Sequence, residues 1–202
     1  EMYQGAYVKD PQVGLHKWIV SFDLNSLYPH LIMQYNISPE TIRGMHRTVP
    51  TVDKMLSKEF DTSFLKNETI TPNGAIFDNT FCGFVPELLN GMYNERKSVK
   101  KLMLKAQQEY ENTKDPKLLT TISRYKNKQM ALKIALNSAY GAMGNQYFRF
   151  YDIRIAEAVT YGGQLSIRWI EVALNKYMNE LLKTEDEDYV LASDTDSVYL
   201  TF

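Results

Sequence analysis

The feature that most constrains the fold is a pair of carboxylates between two short apolar runs. Residues 189–192 and 198–200 are predicted to be strands, and the polar stretch that joins them contains Asp194 and Asp196. A short polar connection between two apolar runs predicts an antiparallel hairpin, with both acids at its bend. Aspartate is common in turns because it bonds its own backbone there. The pair alone therefore does not define a site.

A third acid ends another predicted strand. Residues 18–23 are rich in apolar side chains and end in Asp23, and the Tyr28-Pro29 dipeptide that follows favours a reversal of the chain. We predict a buried strand here, followed by a turn and a short helix. If this strand joins the hairpin in one sheet, acids from neighbouring strand ends converge. Such a set suits Mg²⁺, which completes its shell with phosphates and waters, so we expect a phosphate-bearing substrate.

A long helical hairpin is predicted between these strands. Apolar residues recur at helical spacing over 88–110 and again over 119–139, and the sequence Asn-Thr-Lys-Asp-Pro interrupts them at 112–116. The segment 86–145 has 11 Lys and Arg against 5 Asp and Glu, a formal charge of +6 in a chain whose net charge is −1. A basic module between acidic flanks indicates an anion held by one part and a cation by the other. A solvated helical hairpin is the alternative.

Rows of polar side chains follow the two predicted helices. Arg96 and Lys100 lie four residues apart on the first helix, and such rows of cations can grip a polyphosphate. Lysines on amphipathic helices also commonly face water. The second helix carries a row at spacings of seven, four and three residues, formed by Lys126, Lys133, Asn137 and Tyr140.

The remaining segments complete an α+β pattern. Residues 36–85 mix proline and glycine with polar runs and are predicted to be loops and short strands. Residues 153–183 form a third amphipathic stretch, weakened by Gly162 and Gly163. Trp18 and Trp169 are expected in the core. The order of strand, loops, helix pair, helix and hairpin predicts an antiparallel sheet with a helical insertion.

Composition limits the class of protein. The longest apolar run has four residues, at 189–192, far short of the roughly 20 that a membrane helix needs. Cys82 is the single cysteine, so an internal disulfide is excluded and a reducing compartment is expected.

Three stretches of the sequence resemble motifs of family B DNA polymerases. SFDLNSLYP at 21–29 resembles the first palm motif of the family, KIALNSAYG at 133–141 the fingers motif, and DTDS at 194–197 the second palm motif. Their order and separations agree with the family, and the likeness extends over nearly the whole chain. A further likeness to the T4-type bacteriophage replicative polymerases lies in residues 5–8, 36–42 and 71–74.

The resemblance implies a fold and an activity. The implied fold is an antiparallel palm sheet from residues 1–84 and 146–202, with an inserted two-helix fingers subdomain at 85–145. The implied enzyme is a DNA-directed DNA polymerase of viral DNA replication, a nucleotidyltransferase that extends a primer 3′-hydroxyl and releases pyrophosphate. Its partners are primer-template DNA, deoxynucleoside triphosphates and a sliding clamp, in the cytoplasm of the infected host cell. We expect the chain to be the palm and fingers portion of a polymerase with a thumb and an exonuclease, or an unusually reduced one.

The resemblance also implies a metal site with two Mg²⁺ ions, which Mn²⁺ can replace. Asp23 and Asp196 match the carboxylates that bridge the metals, the Leu24 carbonyl completes the ligand set, and Asp194 is an acid of the same motif. One ion would activate the primer hydroxyl and the other would neutralise the departing pyrophosphate. Lys133 matches the residue that stabilises or protonates this leaving group.

Nucleotide contacts follow from the same motifs. Tyr28 matches the residue under the incoming sugar that excludes a ribose 2′-hydroxyl, and Tyr140 with Gly141 lies at the template strand and the nascent base pair. The nucleotide-binding set implied by the resemblance is Leu24, Asn25, Ser26, Leu27, Tyr28, Arg96, Lys100, Lys133 and Asn137.

Two positions depart from the family pattern, and two other functions compete. Ser193 stands where glycine is common before the Asp-Thr-Asp sequence, and His30 stands where a small residue usually follows Tyr-Pro. Neither departure removes a ligand, and both bear on fine geometry. The competing functions are a two-metal nuclease or phosphatase that uses the same acids, and a fragment that binds nucleotide or DNA without independent turnover.

Overall fold

The computed structural model describes residues 5–202 and confirms the predicted α+β class. In chain order, the elements are β1 (Val8–Lys9), β2 (Val20–Asp23), α1 (Leu27–Gln34), β3 (Ile42–Met45), α2 (Val52–Leu56), β4 (Glu68–Ile70), β5 (Ala75–Asp78), α3 (Phe84–Thr113), α4 (Lys117–Met143), α5 (Ile153–Leu182), β6 (Val190–Asp194) and β7 (Ser197–Leu200). None of these helices is long and apolar enough to cross a membrane.

The main sheet has the order β1-β6-β7-β2, and all its neighbouring strands are antiparallel. β6 and β7 form the predicted hairpin. β2 pairs with β7 so that Asp23 lies opposite Ser197, while Asp194 also lies opposite Ser197 in the hairpin itself. The strand that ends in Asp23 therefore joins the hairpin in one sheet, and the three acids gather at one end of it.

The prediction that β2 is buried is wrong. β2 is an edge strand of the main sheet, and all four of its residues are exposed, Phe22 by 52%. Trp18 and Trp169, which were expected in the core, are 80% and 62% exposed. Apolar content predicts a strand or a helix, but it does not tell which strand lies at the edge of a sheet or which helix face lacks a neighbour.

The predicted helical hairpin is confirmed by α3 and α4. Only residues 114–116 separate the two helices, and Lys114 has the left-handed φ of 54° that ends α3. The Asp115 carboxylate accepts a hydrogen bond of 2.9 Å from the Lys117 amide at the start of α4. An exposed ion pair of 2.6 Å joins Glu95 to Lys128 across the hairpin. The two helices therefore run antiparallel, side by side.

α5 remains helical through its glycine pair. Residues 162 and 163 lie within a continuous helix of 30 residues, and both glycines are buried against α1. Glycine can make the same backbone hydrogen bonds as any other helical residue. Its entropic cost is offset here because the missing side chain allows α1 to pack closely against α5. The N-terminus of α5 is capped by the Asp152 carboxylate, which accepts a hydrogen bond of 2.9 Å from the Arg154 amide.

Two apolar clusters form the core, and α5 contributes to both. The first cluster packs α1, β5 and the helix pair against the N-terminal half of α5. The second packs the middle and C-terminal part of α5 against the main sheet. The central residues of the first cluster are Ile32, Ile37, Phe77, Leu89, Leu136, Ile155 and Val159, and those of the second are Ile167, Met178, Val190, Val198 and Leu200.

The turn after α1 fixes the start of the helix pair. Asn36 is buried, and its side-chain amide donates to the Asp78 carbonyl oxygen at 2.6 Å, while its Oδ1 accepts from the Gly83 amide at 2.8 Å. The Glu40 carboxylate accepts from the Phe84 amide at 2.6 Å. These bonds connect α3 to the second sheet, whose order is β3-β5-β4, and so set the direction in which the helices leave the sheets.

Candidate active site

A cavity of about 370 Å³ lies between the acidic end of the main sheet and the helix pair. The bend of the β6–β7 hairpin, the end of β2 and the first turn of α1 form one side, and α3 and α4 form the other. The lining residues are Asp23, Asn25, Ser26, Leu27, Tyr28, Pro29, Arg96, Lys133, Asn137, Thr195 and Asp196.

Backbone geometry at the hairpin bend brings Asp196 beside Asp23. Thr195 has a left-handed φ of 54°, and its amide donates to the Tyr7 carbonyl at 3.0 Å. The Leu24 amide donates to the Asp196 carbonyl at 2.7 Å. The chain reversal and this cross-strand bond therefore hold the two carboxylates at the same end of the sheet, where both line the cavity.

The two carboxylates of the cavity repel each other. The pKa of Asp196 is raised above its ordinary value, chiefly by burial and then by the negative charges of Asp23 and Asp194, while Lys133 acts in the opposite direction. Burial and a neighbouring like charge both disfavour the ionised form of a carboxyl group. A cation between Asp23 and Asp196 would relieve this cost.

The donor set fits a hard cation. Mg²⁺ is commonly bound by one or two carboxylates, with phosphate and water oxygens completing its shell, and Asp23 with Asp196 supplies such a pair. Asp194 lies outside the cavity lining, is exposed, and accepts a hydrogen bond of 2.9 Å from the Thr195 hydroxyl. Within residues 5–202 no group of three or more His, Cys, Asp or Glu side chains is placed to hold a metal.

The opposite wall of the cavity is basic. Arg96 reaches it from α3, and Lys133 and Asn137 reach it from successive turns of α4. The Arg96 Nε is buried and has no hydrogen-bond partner in the described part of the chain. A buried donor without an acceptor is costly, so this wall is suited to receive the oxygens of an anionic ligand.

An aromatic pair borders the cavity. Ser26, the residue before α1, has a left-handed φ of 56°, and the first turn of the helix then brings Tyr28 into the lining. The Tyr28 ring packs on Tyr140 of α4, with the ring centroids 4.7 Å apart and the planes tilted by 51°. His30 points elsewhere: its Nδ1 is 2.9 Å from the Ser26 carbonyl oxygen, and its ring meets Tyr93 edge-on at 4.6 Å. This departure from the family pattern therefore connects α1 to α3.

Ser193 also lies away from the cavity. It is 1% exposed, and its Oγ has no hydrogen-bond partner among the described residues. Because side chains alternate along a strand, Ser193 faces the side of the sheet opposite Asp194, and it is not among the residues that line the cavity.

The structure brings most of the predicted site residues together. Nine of the fourteen predicted residues line the cavity. Lys100 is exposed one turn along α3 from Arg96, Gly141 is exposed near the end of α4, and Tyr140 lies behind Tyr28. Leu24 and Asp194 flank the cavity acids in sequence and are outside the lining.

Two lining residues were missed by sequence reasoning. Thr195 and Pro29 both occur inside the stretches that resemble family motifs, at 194–197 and 21–29. Their position within these motifs could have identified them as site residues. Neither side chain is ionisable, so neither was among the charged groups expected to bind metal or phosphate.

Comparisons with known proteins agree with this geometry. A family model described as DNA polymerase family B matches residues 1–202. The chain is 34% identical to the DNA-directed DNA polymerase of Escherichia phage RB69 over 98% of its length, and 33% identical to that of Enterobacteria phage T4 over 99%. Over the whole length of this chain, it is 34% identical to DNA polymerase 1 of Pyrococcus abyssi. The chain spans about a quarter of the two phage relatives, 26% and 27% of their lengths.

Proposed function

Because the chain belongs to family B of the DNA polymerases, we propose that its cavity is the nucleotide-addition site of a DNA-directed DNA polymerase. The observation that carries the proposal is the placement of two carboxylates, Asp23 and Asp196, in one cavity with Arg96 and Lys133. Acids that hold divalent cations beside bases that hold phosphate are the parts that phosphoryl transfer requires.

The proposal includes a place for the chain within a longer enzyme. Residues 1–84 and 146–202 would form the palm, and residues 85–145, which contain α4 and nearly all of α3, the fingers. The chain spans about a quarter of the length of its phage relatives, and we propose that the same enzyme also contains a thumb and an exonuclease. Primer-template DNA, deoxynucleoside triphosphates and a sliding clamp are the proposed partners, in the cytoplasm of a phage-infected cell.

Asp23 and Asp196 would hold two Mg²⁺ ions, with the Leu24 carbonyl as a further ligand and Asp194 beside them. When bound, these ions supply charge neutralisation at the phosphates and activation of the primer 3′-hydroxyl. The bond from the primer O3′ to the α-phosphorus forms, the bond from that phosphorus to the bridging oxygen breaks, and pyrophosphate leaves. The hydroxyl proton passes to solvent.

The basic wall would hold the triphosphate during this step. Arg96 and Lys133 donate to phosphate oxygens, and Lys133 stabilises or protonates the leaving pyrophosphate. Asn137 lies one turn from Lys133 and adds a polar contact on the same face of α4. Lys100 stays a prediction, because it is exposed outside the cavity lining.

Tyr28 would contact the sugar of the incoming nucleotide, and Tyr140 would contact the nascent base pair. Tyr28 lines the cavity beside Asn25 and Ser26, where an aromatic ring against C2′ leaves no room for a 2′-hydroxyl. Tyr140 packs on the Tyr28 ring, and with Gly141 it would contact the nascent base pair and the template strand.

The basic wall is tested by single substitutions in the complete polymerase. We expect Arg96→Ala and Lys133→Ala each to raise KM for a deoxynucleoside triphosphate by about tenfold or more, since a charge-assisted hydrogen bond is worth about 1.5–3 kcal/mol. The matched control is Lys97→Ala, which removes an exposed charge from the neighbouring position of α3 and should change KM by less than about twofold. Equal KM values in all three variants would exclude the phosphate-binding role.

The carboxylates provide the second arm of the same experiment. We expect Asp23→Asn to abolish metal-dependent primer extension and to leave the circular dichroism spectrum unchanged. Wild-type extension by this variant would refute the ligand role. Primer degradation by the wild-type enzyme in place of extension would favour the nuclease alternative, and nucleotide binding without any extension would favour a binding module.

A further inference from the structure

The Tyr28 ring is held from more than one side. It packs on Tyr140 of α4 at a centroid distance of 4.7 Å, and it also lies against α5 at Gly163. α1, α4 and α5 therefore meet at this ring, which at the same time lines the cavity. Its position depends on all three helices.

The contact with α5 requires a glycine. A Cβ built on Gly163 would lie 2.9 Å from Cε1 of Tyr28 and 3.7 Å from its Cδ1. Real Cβ atoms essentially never approach a neighbour to 2.9 Å, so something must shift. Cε1 belongs to a rigid ring that is in contact with Tyr140, so the ring moves as a unit. Gly163 is buried and continues a regular helix, so no positive φ demands glycine there.

The neighbouring Gly162 differs in this respect. A Cβ at Gly162 would lie 3.6 Å from Cε2 of Tyr35 and 3.8 Å from the Leu31 side chain, which are ordinary van der Waals distances. Both glycines are therefore buried in the same helix with the same backbone conformation, but only Gly163 limits the space of Tyr28.

We propose, on the basis of the function proposed above, that Gly163 is a positioning residue for nucleotide selection, because it sets how far the Tyr28 ring extends into the cavity. A side chain at residue 163 moves the ring away from α5 and toward the sugar of the incoming nucleotide. The bound deoxynucleotide then loses space at C2′, while the acids and cations of the cavity remain in place. Gly163 thus acts on substrate binding through Tyr28.

The test is a double-mutant cycle on primer extension by the complete polymerase. We expect Gly163→Ala to raise KM for a deoxynucleoside triphosphate at least about fivefold, with kcat within about twofold of wild type. In a Tyr28→Ala background the same change should alter KM by less than about twofold, because the ring that it displaces is gone. The matched control, Gly162→Ala, should change KM by less than about twofold in both backgrounds.

The outcomes separate this inference from the proposed function. Tyr28→Ala alone should lower discrimination against ribonucleotides at least about tenfold, and if it does not, the sugar-selecting role of Tyr28 and the role of Gly163 both fall. If Tyr28→Ala does lower this discrimination, two results overturn the role of Gly163 alone. One is a wild-type KM for Gly163→Ala, and the other is an equal rise in KM when Gly163→Ala is made in the Tyr28→Ala background. If Gly163→Ala does not fold, the double variant should regain the fold, since removal of the ring makes room. Failure of both to fold overturns the inference.

Discussion

At the scale of single residues, Asp78 shows how local hydrogen bonds maintain a buried charge. Its Oδ1 accepts from the amide and from the hydroxyl of Thr80, both at 2.7 Å, and the Arg43 guanidinium binds its Oδ2. These partners, the Thr80 amide foremost, lower the pKa of Asp78 to about 2. The side chain therefore stays ionised at the end of β5, where its own carbonyl also receives the Asn36 side chain.

Acid titration of the fold should reveal this carboxylate. In the unfolded chain the pKa of aspartate is about 3.9, so the folded state binds fewer protons between that value and about 2. The stabilisation of the folded state by the ionised Asp78 carboxylate is thus fully present above about pH 4 and is lost as the pH falls toward 2. We expect the free energy of unfolding, measured with urea from pH 2 to 7, to fall less steeply with acid in Asp78→Asn than in wild type. Parallel curves would contradict this assignment.

At the scale of elements, the start of α3 decides where the helix pair stands relative to the acids. Gly83 precedes the helix, and its amide donates to Asn36 while the next amide donates to Glu40. A Cβ on Gly83 would lie 2.7 Å from Cβ of Ser38 and 3.1 Å from Cγ2 of Thr41. Ser38 and Thr41 are fully buried and cannot swing into solvent. A small residue is therefore required where this turn meets α3.

Gly83→Ala is expected to lower the free energy of unfolding by about 1–3 kcal/mol, the usual cost of overpacking a rigid interior. Gly91→Ala is the matched control, since it lies within the same helix and a Cβ there meets nothing within 4 Å. That control should be neutral or should stabilise by up to about 1 kcal/mol through helix propensity. Urea unfolding of both variants measures the difference, and equal stabilities would show that the turn yields to the added methyl group.

At the scale of the whole molecule, α5 joins the two halves of the core. Ile155 and Val159 near its N-terminus pack into the cluster with the helix pair, whereas Ile167 at its middle and Met178 near its C-terminus pack against the main sheet. The acids of the sheet and the cations of the helix pair are thus positioned against one continuous helix. This arrangement predicts that the two clusters unfold together.

Ile167→Ala should therefore destabilise the whole chain. Truncation of a fully buried isoleucine commonly costs about 2–5 kcal/mol, and Ile167 is 0% exposed. We expect one cooperative urea transition, shifted to lower denaturant, with tryptophan fluorescence and far-ultraviolet circular dichroism coincident. Trp169 reports on α5, and Trp18 reports on the chain before β2. A fluorescence transition that precedes the loss of helical signal would contradict this single cooperative transition.

The sequence by itself determined the features that depend on local chemistry. Helical spacing of apolar residues predicted α3 and α4, and the polar stretch at 193–197 predicted the bend that carries Asp194 and Asp196. Periodicity and turn residues act over a few positions of the chain, so one sequence is enough to detect them. The family resemblance likewise rested on short contiguous motifs, and the match of the family model over residues 1–202 bore it out.

Only the tertiary structure decided which of these residues share a surface. It placed Arg96 in the cavity and left Lys100 outside, although both belong to one predicted row. It left Trp18 and all four residues of β2, which is an edge strand, exposed. It also showed that the glycine pair of α5, which was expected to weaken a helix, is the place where α1 packs against α5. The burial and contacts of a residue depend on elements that are far apart in the chain. The spacing of residues within one segment therefore does not predict how that segment packs against the others.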